Sequence, residues 1–174
     1  MQILLPALPV IKEKFEVSTE VAQLTLSLSM LAIALGTLFY GPLSDKYGRK
    51  PVMLLGLSIT LVGSVFCFLA NTIELLIVGR FIQAFGAAVG LVLARAIVRD
   101  VYGAQEAARV IATLVMVMVV APMLSPALGG ELMLRLGWEY VFVVIAIACI
   151  LISLLLFRGL PETLKEPVPF TGVA

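Results

Sequence analysis

Three short stretches of this chain combine residue types that packing alone does not require. In Gly79-Arg80-Phe81-Ile82-Gln83 a cation and an amide stand three positions apart inside a long apolar run, with Gly86 and Gly90 following. A fixed cation beside an aqueous cavity depresses the pKa of a nearby carboxyl or draws in an anion, which couples protonation to conformation. In Gly41-Pro42-Leu43-Ser44-Asp45-Lys46-Tyr47-Gly48-Arg49-Lys50-Pro51 one acid is set among basic residues between two apolar runs. In Ala121-Pro122-Met123-Leu124-Ser125-Pro126-Ala127-Leu128-Gly129-Gly130 two prolines four apart precede a glycine pair. That pattern removes two backbone hydrogen bonds and bends a helix.

Other chemistries are poorly supplied. The chain has no His, so the commonest general base and the commonest metal ligand are both missing. Cys67 and Cys149 lie 82 positions apart inside apolar stretches, with neither metal-ligand nor redox-pair spacing. They read as small apolar fillers. No nucleophile–base pair is available, and Ser44 beside Asp45 is not a nucleophile elbow. The reading is therefore not an enzyme, with no cofactor and no metal.

The elements that carry these stretches follow from hydropathy. Of the 174 residues, 61% are apolar and 13% charged, and mean hydropathy is +1.13. Soluble domains carry about 45–50% and about 25%. Net charge is +1, with no basic stripe for nucleic acid. A helix crosses a bilayer core with roughly 20 apolar residues, and the segments at about 21–43, 51–69, 73–97, 107–128 and 140–157 meet that length. Residues 1–11 are apolar but reach only about 16 Å as a helix at about 1.5 Å per residue. They read as the exit half of a partial first helix at about 1–15. Residues 165–174, rich in proline, read as the start of a flexible cytoplasmic connection.

Lys and Arg set the orientation. Gaps 12–20, 70–73 and 129–139 hold three of them, while gaps 44–50 and 98–106 with the flanking helix ends and the tail hold eight. The richer set is expected in the cytoplasm, with Trp138 and Tyr140 in the outer aromatic belt. The crossing at 41–51 is expected to be a tight loop: Pro42 ends one helix, Gly48 permits a left-handed turn and Pro51 opens the next helix. Arg80 falls about 10 Å below the outer end of its helix at about 1.5 Å per residue. It faces the bundle interior or a wet cavity unless it snorkels outward. Gly86 and Gly90 form a GxxxG pair that admits another backbone, and Ser125 and Gly129 form a small-xxx-small face.

These residues resemble a known family. Gly41-x-Leu43-Ser44-Asp45-Lys46-x-Gly48-Arg49-Lys50 is similar to the signature loop between helices 2 and 3 of the major facilitator superfamily. Arg80 with Gln83 resembles the helix-4 motif of its proton-coupled members. The stretch Pro122, Ser125, Pro126, Gly129, Gly130 resembles the helix-5 motif of its drug:proton antiporters, with Ser125 standing where that motif has its first Gly. Leu5-Pro6-Ala7-Leu8-Pro9 and Arg95-Ala96-Ile97-Val98-Arg99-Asp100-Val101-Tyr102 are similar to the Bcr/CflA type of multidrug exporter, and Pro161-Glu162-Thr163-Leu164 resembles the Pro-Glu-Thr common at the superfamily's mid-point.

The resemblance implies an all-α membrane protein, the N-terminal six-helix half of a twelve-helix transporter with helix 1 truncated, occupying residues 1–164. It implies proton-coupled efflux of lipophilic compounds by alternating access, in the plasma membrane of a bacterium. Arg80 and Gln83 would serve proton coupling or the substrate cavity. Gly41, Asp45, Gly48, Arg49 and Lys50 would form the cytoplasmic gate, and the helix-5 motif an outer seal. The implied partners are lipid, a small-molecule substrate, protons and a C-terminal half or second copy. Transport of a defined metabolite, and a non-transporting partner subunit, remain as alternatives. Inside the spans no Asp or Glu lies deeper than Glu74, so the proton-binding carboxylate is expected outside these segments.

Overall fold

Serine and threonine open the helices that hydropathy marks out. Ser18 Oγ accepts from the Val21 amide and Thr72 Oγ1 from the Leu75 amide, both at 3.3 Å, which satisfies an otherwise orphaned N–H at each helix start. The computed structural model describes residues 8–159 and residue 163. Among these the order is α1 (Leu8–Lys14), α2 (Thr19–Tyr47), α3 (Arg49–Phe68), a helical run Ile73–Leu136 and a last helix, with no strand. Gly103, at φ 69° and ψ 176°, interrupts the run. It divides into α4 (Ile73–Gly103) and α5 (Glu106–Leu136), and the last helix is α6 (Tyr140–Gly159). Helices α2 to α6 are each long and apolar enough to cross a membrane.

Most helices overrun the spans that hydropathy predicts, because hydropathy measures only the bilayer core whereas helices continue into the polar interface. The largest change is at the crossing between α2 and α3. Pro42 does not end α2; it lies inside a helix that runs on to Tyr47, leaving Gly48 as the only residue between α2 and α3. A proline forfeits one backbone bond, whereas stopping inside a bilayer would strand several carbonyls. Pro51 is the third residue of α3, not the first, and there too its missing N–H would have had no helical partner. Gly48 takes φ 98° and ψ 155°, a positive-φ region open essentially to glycine, though not the left-handed helical turn expected. The gap at 98–106 likewise shrinks to a break around Gly103. Residues 1–7 and 165–174, where the start of helix 1 and the flexible connection were expected, lie outside the described residues.

Helix α4 packs between α2 and α3, and glycine sets the spacing. A Cβ placed on Gly36 of α2 would stand 2.7 Å from the Ala88 Cβ. One on Gly56 of α3 would stand 2.5 Å from Val89, and one on Gly63 would stand 2.3 Å from the Gln83 backbone nitrogen. Gly86 of α4 meets Gly56 and Thr60 in return. Membrane helices gain no hydrophobic drive from lipid, so such close backbone approach supplies the dispersion contact that holds them. Gly90 does not join this face, since nothing lies within 4 Å of its would-be Cβ. The GxxxG pair thus acts through Gly86 alone, which is spent inside the bundle.

Two apolar clusters lie towards opposite ends of α4. Tyr40, Val52, Ala88, Val89 and Leu93 form the first. Ile11, Cys67, Ala70, Ile73, Leu76, Trp138, Val141 and Phe142 form the second. Trp138 does not face outward as a belt residue would. It is only 4% exposed and meets Phe15 and Phe142 edge-on at 6.0 and 5.9 Å, because the turn before α6 folds it inward over α1. Tyr140, at 43% exposure, remains outward. Helix α5 is different: among residues whose exposure is described, only Ala107 and Gly129 are buried.

Candidate functional site

Between the two apolar clusters α4 carries a polar layer. Arg80 is 4% exposed and Gln83 3%, so the guanidinium points into the bundle and does not snorkel. Arg80 Nη1 donates to Gln83 Oε1 at 2.6 Å, and Gln83 Nε2 donates to Ser64 Oγ of α3 at 2.8 Å. Ser64 Oγ donates to the Thr60 carbonyl at 2.8 Å, and Thr60 Oγ1 to the Gly56 carbonyl at 2.9 Å. Arg80 Nε and Nη2 have no partner among the described residues. These two nitrogens form the edge of a guanidinium that meets a carboxylate with two parallel bonds. The buried polar residues described are Thr25, Ser29, Ser44, Thr60, Ser64, Arg80 and Gln83. None of them is acidic, and Glu74 is exposed.

A second charged site forms where α2 and α4 end and α3 begins. The helix that carries Asp45 past Pro42 brings it one turn before Arg49, and Asp45 Oδ1 lies 2.6 Å from Arg49 Nη1. Arg49 also reaches Asp100 Oδ2 through Nε at 3.0 Å and donates to Ser44 Oγ through Nη1 at 2.6 Å. Lys50 Nζ donates to the Phe157 carbonyl at the end of α6, at 3.0 Å. Asp45 is thus not the sole acid of the crossing, since Asp100 arrives from α4. Gly41 has open space where a Cβ would stand.

At the opposite end Lys14 pairs with Glu139 and lies 4.9 Å from the Trp138 ring centre. Burial opposes ionisation of Glu139. The Lys14 hydrogen bond and charge, with bonds from its own backbone and from Trp138, outweigh it and hold the carboxyl below its usual range. The two charged ends together order the bundle: gaps expected on one side meet one another, and so do those expected on the other.

The residues of α5 are not drawn into either site. Pro122 and Pro126 lie inside a continuing helix, and Ser125 Oγ turns back to the Ala121 carbonyl at 2.8 Å. Gly129 is buried, while Gly130 meets nothing within 4 Å. Ser64, Thr60 and Asp100 are the residues that sequence reasoning did not single out as site residues. The signal for the first two was available, because Gly56, Thr60, Gly63 and Ser64 fall on one face of α3.

A bundle of membrane-length helices with a buried, half-partnered arginine and an ion-paired end defines a polytopic membrane protein of the transporter class. Residues 1–173 match the Major Facilitator Superfamily, and the chain belongs to that family. It is 38% identical over 156 residues to an uncharacterized transporter of Rickettsia felis, covering 90% of this chain and 38% of that protein. It is 33% identical over 162 residues to the bicyclomycin resistance protein homolog of Haemophilus influenzae, covering 93% and 41%. The fold is similar to that of the human organic anion transporter MFSD10, with a TM-score of 0.77 at 23% identity, covering 97% of this chain and 46% of that one. The chain therefore spans about two-fifths of the length of the curated relatives it matches, and the match falls on their N-terminal half. Its apolar helices and bacterial relatives fit a multi-pass protein of the inner membrane.

Proposed function

We propose that this chain is the N-terminal half of a proton-driven exporter of lipophilic, drug-like compounds, working by alternating access as a carrier and not as an enzyme. The observation that supports this best is Arg80. A buried arginine costs a few kcal/mol, about 2.5–3.5 on insertion scales, and here two of its three nitrogens find no partner among the described residues. That cost is offset when a carboxylate takes the Nε–Nη2 edge. Protonating the carboxylate breaks the pair, so proton binding and the state of the bundle become one equilibrium. The described interior contains no acid and residues 1–7 carry none, so in this reading the carboxylate is brought by a C-terminal half. The uncovered face of α5 with Pro122, Ser125 and Pro126, and the Asp45–Arg49–Asp100 cluster, are where such a half would close on this one. The excess of Lys and Arg at the Arg49 end supports a cytoplasmic position for that end.

A second reading draws on the same edge of Arg80. A substrate carboxylate would fit it as well, which favours a carrier of a defined organic anion; the human organic anion transporter MFSD10 shares the fold. The two readings separate in proteoliposomes. Flux of a lipophilic cationic dye is measured under an imposed pH gradient, with the chain alone and joined to a C-terminal six-helix half. Gradient-dependent dye flux that Arg80→Ala abolishes supports the exporter. Flux of organic anions without dye flux supports the second reading, and no flux of either kind with both halves joined overturns both.

A further inference from the structure

Ser64 of α3, which the proposed function does not use, holds the geometry of Arg80 through Gln83. We infer that Ser64 is a positioning residue: its hydroxyl fixes the Gln83 amide, and the amide fixes which nitrogens of Arg80 are left for an incoming carboxylate.

A hydroxyl offers one proton and two lone pairs. Ser64 spends its proton on the Thr60 carbonyl at 2.8 Å, so towards α4 it presents only an acceptor. Gln83 must then turn Nε2 to Ser64, at 2.8 Å, which leaves Oε1 for Arg80 Nη1 at 2.6 Å. The reversed amide would set an NH2 against the guanidinium and an oxygen against a hydroxyl whose proton is engaged. Each bond thus dictates the sense of the next, from the α3 backbone to the cation. Ser58 marks the contrast on the same helix. Its hydroxyl also turns back to its own helix, donating to the Leu54 carbonyl at 2.9 Å, but it is exposed and no hydrogen bond from another helix to it is seen among the described residues.

The backbone around Ser64 makes the reach short. Gly63 lets α4 approach until its would-be Cβ stands 2.3 Å from the Gln83 nitrogen, so the side chains of Ser64 and Gln83 meet without stretching. Ser64, Gln83 and Arg80 are all nearly inaccessible, at 1%, 3% and 4% exposure. Water is therefore a poor substitute for a missing hydroxyl. With Ser64 removed, the amide is free to rotate and Arg80 Nη1 is no longer held, so the guanidinium can turn its Nε–Nη2 edge away.

The transport arm of the test rests on the proton-driven reading, so a structural arm is set beside it. Protein carrying 15N-labelled arginine is placed in lipid nanodiscs, and the Arg80 guanidinium signals are identified by their loss in Arg80→Lys. In the unaltered protein the Nη1 protons are expected to show hindered rotation. Ser64→Ala should release that rotation, Ser58→Ala should not, and Ser64→Ala should add nothing once Gln83→Ala is present. The coupling between Ser64→Ala and Gln83→Ala in the pH dependence of flux should be about threefold, the size of a typical side-chain bond between membrane helices. Substrate KM should be little changed by Ser64→Ala. Arg80 signals that ignore Ser64→Ala overturn the inference, whatever flux does. Released signals in a protein whose flux ignores the pH gradient would support the role of Ser64 and remove the proton-coupled reading.

Discussion

Arg49 Nε donates to Asp100 Oδ2 at 3.0 Å and joins residues 51 positions apart. The bond ties the single-residue turn between α2 and α3 to the far end of α4, while Asp45 holds the same guanidinium from one turn earlier. The two carboxylates differ in setting: the Asp45 side chain is 48% exposed and the Asp100 side chain 25%.

Asp45→Asn should therefore abolish transport in a complete transporter while leaving insertion intact. Exposed ion pairs contribute about 1 kcal/mol or less, so the melting temperature in detergent should move little. Asp100→Asn, at the less exposed pair, should lower it further. Flux at the level of the unaltered protein in Asp45→Asn would remove Asp45 from the gate.

Arg80→Ala should leave a folded protein whose flux no longer follows the pH gradient. Loss of the Gln83 bond is offset by relief of the cost of burying the cation, about 2.5–3.5 kcal/mol on insertion scales. Arg80→Lys should fail to restore coupling, because an ammonium cannot present two parallel donors to one carboxylate. Retained pH dependence in Arg80→Ala, measured by dye flux in proteoliposomes, contradicts the role given to Arg80.

Glycine substitutions should divide by contact. A Cβ on Gly63 or Gly86 would stand 2.3 and 2.5 Å from backbone nitrogens of the facing helix, and overpacking of this kind costs about 1–3 kcal/mol. Gly63→Ala and Gly86→Ala should thus lower thermal stability clearly. Gly90→Ala and Gly130→Ala, which meet nothing within 4 Å, should be neutral or stabilising by up to about 1 kcal/mol. Gly48→Ala should cost about 1–3 kcal/mol from backbone strain alone. Equal melting temperatures for Gly86→Ala and Gly90→Ala would refute the close packing of α3 on α4.

Glu139 supplies a pH signature at the other end. Its carboxyl is held below the usual range in the fold by Lys14 and neighbouring donors, against the opposing effect of burial. The pair's contribution is thus complete above the unfolded carboxyl pKa of about 4.3 and is lost as pH falls through the lower folded value. Side-chain exposures of 43% and 28% keep it to about 1 kcal/mol or less. Glu139→Gln should remove that acid-side step from a melting-temperature profile between about pH 6 and 3, and a step of the same size in the variant would show that another group causes it.

Much of the fold was legible because membranes impose a simple rule on sequence. Backbone groups in lipid must be satisfied within the helix, so uncharged runs of sufficient length, such as 51–69 and 140–157, mark helices whatever their neighbours do. The charge of Arg80 in such a run was equally telling, because burying it has no rationale in packing. Helix ends were not legible: Pro42 reads as a terminator in isolation, yet α2 passes through it to carry Asp45 within reach of Arg49.

Which small residues matter was a tertiary decision. Gly86 and Gly90 are alike in sequence, and only the placement of α3 distinguishes the one that meets Thr60 from the one that meets nothing. Trp138 reads as an interfacial aromatic until the turn before α6 lays it over α1 beside Phe15. Asp100 joins Arg49, and Ser64 joins Gln83, across separations of 51 and 19 positions that no local spacing encodes. Composition and periodicity determined that this chain is a membrane bundle with one arginine inside it, since both follow from the solvent each residue meets. The choice of partners for that arginine, and for the charges at the bundle's ends, fell to the tertiary structure, because a hydrogen bond depends on distances of a few tenths of an ångström between helices that the sequence does not measure.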